Sequence, residues 1–131
     1  MSSGPYTQTQ ILLIKAAEDE QALNADGISD SILSFHAQQA IEKLMKALLA
    51  ARSLPFELTH NLTRLETALR AAGETLPATP IALSDLNDFA VVYRYDLLFQ
   101  FSAPDQADLI ETVRVLREHI LARIASLSTT P

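Results

Sequence analysis

Along residues 30 to 52, and again along 105 to 127, apolar side chains recur at every third or fourth position. At about 100° per residue, Leu33, Ala37, Ala40, Ile41, Leu44, Leu48 and Ala51 fall in one arc of a helix. Leu109, Val113, Leu116, Ile120, Ile124 and Leu127 do the same. No stretch alternates β-branched residues between turn signals, so strands are not expected. Ile11, Leu12, Ala16 and Leu23 predict a first helix that stops around Asn24-Ala-Asp-Gly27. The second spans Asp30 to Arg52 and must end before Pro55. Leu62, Leu65, Leu69 and Ala72 mark a short third helix closed by Gly73; Leu83, Leu86, Ala90, Tyr93 and Leu97 mark a fourth, beyond Pro77 and Pro80. The last begins near Ser102-Ala-Pro-Asp105, with Ser102 as hydroxyl cap and Asp105 as first-turn carboxylate, and the tail from Ser126 is expected to fray. Short links between long amphipathic helices leave no length for a crossover, so neighbours pack antiparallel. The expected fold class is all-α: an up-and-down four-helix bundle with one additional short helix. It forms a single domain with its core at about residues 8–125.

The 131 residues suffice for one hydrophobic core. There is no cysteine, which excludes disulfides, thiolate metal sites and a cysteine nucleophile. The opening MSSGPYTQTQILLIK lacks a basic segment ahead of its short apolar run, and no later run approaches a membrane span. A cytoplasmic location is therefore expected, with no membrane partner. A formal charge of -6 disfavours duplex DNA, whose phosphates need clustered cations. Residues 36 to 70 run against that average: five cations (Lys43, Lys46, Arg52, Arg64, Arg70) less three anions (Glu42, Glu57, Glu66) give +2. A small anion such as a nucleotide suits such a patch better than a duplex does.

The segment FHAQQAIEKLMKALL, residues 35 to 49, places His36, Gln39, Lys43 and Lys46 in a stripe away from the core arc. Gln38 and Glu42 lie beside it, and Ile32 and Phe35 intrude on it. An ordinary solvated face has no need of two bulky apolar groups. The stripe is therefore expected to be covered by the first or last helix, by a second subunit, or by a ligand. Ile32 and Phe35 are the candidate homodimer interface. The plainer reading makes Gln39 with Lys43, and Glu42 with Lys46, pairs one turn apart on a solvent-facing helix.

Phe35-His36-Ala37-Gln38-Gln39, Glu42-Lys43 and Lys46-Ala47, followed by Thr59-His60-Asn61-Leu62 and then Arg94-Tyr95, resemble the HEPN family in order and spacing over roughly residues 8 to 125. The resemblance implies an all-α domain that commonly dimerises and is often encoded beside a small nucleotidyltransferase. One branch is similar to the helical domain that helps an antibiotic nucleotidyltransferase bind its nucleotide. Another branch consists of ribonucleases of toxin and defence systems, whose arginine and histidine are separated by four to six residues. On that basis the candidates for nucleotide or partner contact are Gln39, Lys43, Lys46 and Arg94, with His36 and His60 behind them.

No histidine follows Arg94 at the ribonuclease spacing, and Asp96 stands where the family usually has proline. Arg114 and His119 match the spacing, but on a continuous helix their side chains lie about 140° apart. Arg94 is flanked by Tyr93, Tyr95, Phe99 and Phe101, a setting in which a guanidinium holds phosphate while a ring stacks on a base. Glu57 and His60 form a lone Glu-x-x-His, whereas bundle di-iron sites use two, so no metal is expected. There is no glycine-rich phosphate loop, and no other cofactor or catalytic residue is assigned. The leading expectation is a nucleotide-binding or nucleotidyltransferase-partner domain without chemistry of its own. A dimeric metal-independent ribonuclease and a plain structural or adaptor module are the alternatives.

Overall fold

A computed structural model describes residues 6–91 and 103–128. The described residues form α1 (Gln8–Ala22), α2 (Asp30–Ala51), α3 (Leu62–Ala71), α4 (Leu83–Leu86), a 3-10 turn (Asn87–Val91) and α5 (Gln106–Ser128), with no strand among them. Of the expected fourth helix, Leu83 and Leu86 are α-helical and Ala90 lies in the 3-10 turn that follows. Tyr93 and Leu97 lie outside the described residues.

Four of the five helix starts, those of α1, α2, α3 and α5, are set by a local side chain that satisfies otherwise unpaired N–H groups; α4, which follows Ala82, has no such cap. Thr7 and Gln10 form a reciprocal capping box at α1: the Gln10 N–H donates to Thr7 Oγ1 (3.2 Å) and the Thr7 N–H to Gln10 Oε1 (2.8 Å). Ser29 caps α2 through the N–H of Ile32. At α3 the cap is Asn61, accepting from Thr63 and Arg64, so His60 stands just outside the helix. At α5 the Asp105 carboxylate accepts from the Asp108 N–H at 2.9 Å, so the carboxylate expected in the first turn serves as the cap; Ser102 lies outside the described residues.

Two helices end alike. The N–H groups of Ser53 and Leu54 return to the carbonyls of Ala50 and Leu49, and those of Gly73 and Glu74 return to Arg70 and Leu69. Both closures need a left-handed residue, supplied by Gly73 (φ 91°) at α3 and by Ser53 (φ 59°) at α2.

α2 is the central post, contacted by α1, α3, α4, the 3-10 turn and α5. Leu33, Ala37, Ala40, Ile41, Leu44 and Leu48 are buried, as are Leu109, Val113, Leu116 and Ile120 from α5, Leu62, Leu65 and Leu69 from α3, and Leu86 and Phe89. Each fully buried leucine or isoleucine stabilises the fold by roughly 1.5–3 kcal/mol relative to exposure. The Gln106 amide donates to the carbonyls of Leu23 and Ala25, while Leu121 lies beside Leu13 and Ile14, so α5 runs antiparallel to α1. The expected fraying from Ser126 does not begin there: Ser126 is helical and its hydroxyl donates to the Arg123 carbonyl.

Candidate functional site

Two members of the polar stripe of α2, His36 and Lys43, are partnered by the first helix. Asp19, on the face of α1 that meets α2, places Oδ1 3.0 Å from His36 Nδ1 and takes the Lys43 ammonium on its other oxygen. His36, Lys43 and Asp19 are all at least partly buried, and together they brace α1 against α2. The expected Gln39 to Lys43 pair does not form. Gln39 donates instead to Gln38 Oε1 (2.7 Å), and Gln38, fully buried, donates to the carbonyl of His60 (2.6 Å).

One turn further on, Glu42 is buried and takes Lys46 Nζ at 2.9 Å on one oxygen and His60 Nδ1 at 2.8 Å on the other. This is the expected one-turn pair of Glu42 and Lys46, joined by a histidine from the loop ahead of α3. The Lys46 ammonium also lies 5.8 Å from the ring centroid of Phe56, within cation–π range. Four of the α2 candidates, His36, Gln39, Lys43 and Lys46, therefore already have partners within this chain, and so does His60. Ile32 and Phe35 are half-buried and pack against the core, so the bare apolar surface expected of them is partly filled from within.

Arg94 lies outside the described residues. Arg114 is gripped by Glu111 through two bonds (2.8 and 2.6 Å) and by Glu118 (2.9 Å), which raises its pKa further above the usual guanidinium value. His119 Nε2 is buried without a hydrogen-bond partner among the described residues. Glu57 pairs with Arg64 on the surface, and the described residues hold no cluster of three metal-ligating side chains.

Two features have no signature in sequence spacing. Glu74, buried at the end of α3, accepts two bonds from Arg123 (2.9 and 3.1 Å) and one from Arg52 (2.7 Å), whose other nitrogen donates to the Ala72 carbonyl. The Arg123 hydrogen bonds, followed by those of Arg52, hold its carboxyl below the usual range in spite of burial. A groove of about 290 Å³ between α1 and α5 has a floor on Leu44, apolar walls that include Ile14 and Leu121, and the Arg117–Glu20 pair (2.9 Å) among its lining. Lys43, which has no carboxylate one turn away on its own helix, was the usable signal for one from a neighbouring helix, since ammonium groups that are taken out of water need a counter-charge.

No helix among the described residues is long and apolar enough to cross a membrane. No curated protein and no solved structure matches the chain. The family model of the HEPN domain matches residues 14–123, a span from mid-α1 to the Arg123 that clamps Glu74, and the chain belongs to the HEPN family.

Proposed function

We propose that this HEPN domain is a non-catalytic helical module, an up-and-down four-helix bundle that binds a nucleotide or docks on a nucleotidyltransferase, working as a homodimer in the cytoplasm. The observation that supports this reading over ribonuclease action is the state of the one arginine–histidine pair at nuclease spacing. Arg114 is held by two carboxylates of its own helix, and His119 turns its Nε2 into the protein. General base catalysis on RNA needs an imidazole nitrogen within hydrogen-bond reach of the ribose hydroxyl, and this one is shielded. The partnered stripe of α2 moves the weight of nucleotide contact toward Arg94 and its aromatic neighbours, with Lys43 and Lys46 as supports of the scaffold.

Calorimetric titration with ATP and with AMP tests this, on the wild type and on folded Arg94→Ala and Lys43→Ala proteins. Binding in the micromolar range, about -8 kcal/mol, that is lost in Arg94→Ala and little changed in Lys43→Ala is the expected outcome. No heat with either nucleotide restricts the role to a protein partner. Degradation of RNA by the wild type in chelator, abolished by His119→Ala, overturns the reading in favour of the nuclease.

A further inference from the structure

The chain has three histidines, and their surroundings sort them sharply. His119 hides Nε2. His36 also has Nδ1 on a carboxylate, that of Asp19, but its side chain is only 30% exposed and is packed edge-on against Phe35. His60 combines the same anchoring with exposure: its imidazole is 68% exposed while Nδ1 is fixed on a carboxylate that is only 6% exposed. A carboxylate on Nδ1 keeps the proton on that nitrogen and leaves the lone pair on Nε2, the orientation by which a buried acid readies a histidine in hydrolytic triads. The rest of the pedestal is equally fixed. Gln38 holds the His60 carbonyl, Lys46 holds the second oxygen of Glu42, and Asn61 immediately afterwards caps α3.

We infer that His60 Nε2 is a nucleophile that accepts a phosphoryl group from a small phosphoramidate- or acyl-phosphate-class donor. In the step, the Nε2 lone pair attacks phosphorus and the bond from phosphorus to the leaving atom breaks, its electron pair departing with the leaving group. With a phosphoramidate that group is ammonia. The ring becomes cationic as the Nε2–P bond forms, and the Glu42 carboxylate stabilises that charge; the Nδ1 proton is then lost to solvent, where ammonia takes it up as ammonium. Phosphorus stays at the same oxidation level, so no oxidant or reductant enters. The group arrives in the positive part of the chain, where Lys46 adjoins Glu42 and Arg64, in an exposed pair with Glu57, stands in the first turn of α3. The groove between α1 and α5 and the Glu74 clamp take no part, and the site stands independently of nucleotide binding through Arg94.

The test incubates the whole protein with potassium phosphoramidate and follows it by intact mass, peptide mapping under alkaline conditions and phosphorus NMR. One phosphoryl group on His60 Nε2, gained ahead of any label on His36 or His119, is expected. Glu42→Gln, checked for folding by circular dichroism, slows the gain by about tenfold, and His60→Ala abolishes it. Label appearing on His36 or a lysine as fast as on His60, label on His60 Nδ1, or an unchanged rate in Glu42→Gln overturns the proposal. The first two outcomes are read on the wild type alone, so a variant that fails to fold does not protect it.

Discussion

Glu42 and Glu74 are both buried carboxylates shared by two cationic or potentially cationic partners from elsewhere in the chain, but they do opposite things with them. At Glu74 the partners are two guanidiniums, whose planar forks cover the carboxylate from both sides and tie the end of α3 to the ends of α2 and α5. At Glu42 the partners are an ammonium and an imidazole, and the imidazole has a second nitrogen left over for the outside. One site closes on itself. The other carries a chemical group to the surface on a buried anchor. Partner identity, more than burial, decides whether an acidic residue in a helical core serves as a clamp or as a pedestal.

Removing the clamp is the most severe way to test this contrast. Glu74→Ala strands two guanidiniums that are only partly solvated, and the expected cost is about 3 kcal/mol by urea unfolding. A change below about 0.5 kcal/mol, typical of an exposed pair, removes the clamp from the account. The pH dependence sharpens it. Because the folded Glu74 carboxyl lies below its ordinary value of 4.5, its stabilisation is complete well above that pH and is lost as the pH falls through the folded value. The gap in stability between wild type and Glu74→Gln should therefore be widest near neutrality and close in acid.

Glu42→Gln keeps the shape and removes only the charge opposite Lys46, so a smaller loss is expected, about 1–2 kcal/mol in the same unfolding assay. A cost equal to that of Glu74→Ala would make the two sites the same kind of device. Asp19→Asn releases Lys43 while leaving a hydrogen-bond acceptor for His36, and about 1 kcal/mol is expected. Faster amide exchange confined to α1 would be its signature. The smallest effect is a gain: Ser53→Gly relieves a side chain held at positive φ and should raise the urea midpoint by the equivalent of about 0.5–1 kcal/mol. A loss there would mean that the Ser53 side chain contributes more than its backbone costs.

The helices were legible in the sequence because their apolar spacing and caps are local. Asp30, Gly73 and the buried faces of α2 and α5 fall where the spacing placed them. Asp105, expected as a first-turn carboxylate of α5, is instead its cap, because spacing alone does not fix which residue is the first helical one. At the site, the pairing of Glu42 with Lys46 followed from one turn of helix. The partners Asp19, His60 and Arg123 did not, since they join residues 24, 18 and 49 positions apart and a helical wheel says nothing about which neighbour covers it.

Those separations also set an order of assembly. Asp19 reaches Lys43 across 24 residues, whereas Gln106 reaches the carbonyl of Leu23 across 83. Closing the longer span costs roughly 1 kcal/mol more in chain entropy. The α1–α2 hairpin is therefore the cheaper of the two closures, and it pairs its charges within itself while its apolar floor at Leu44 is completed only by α5.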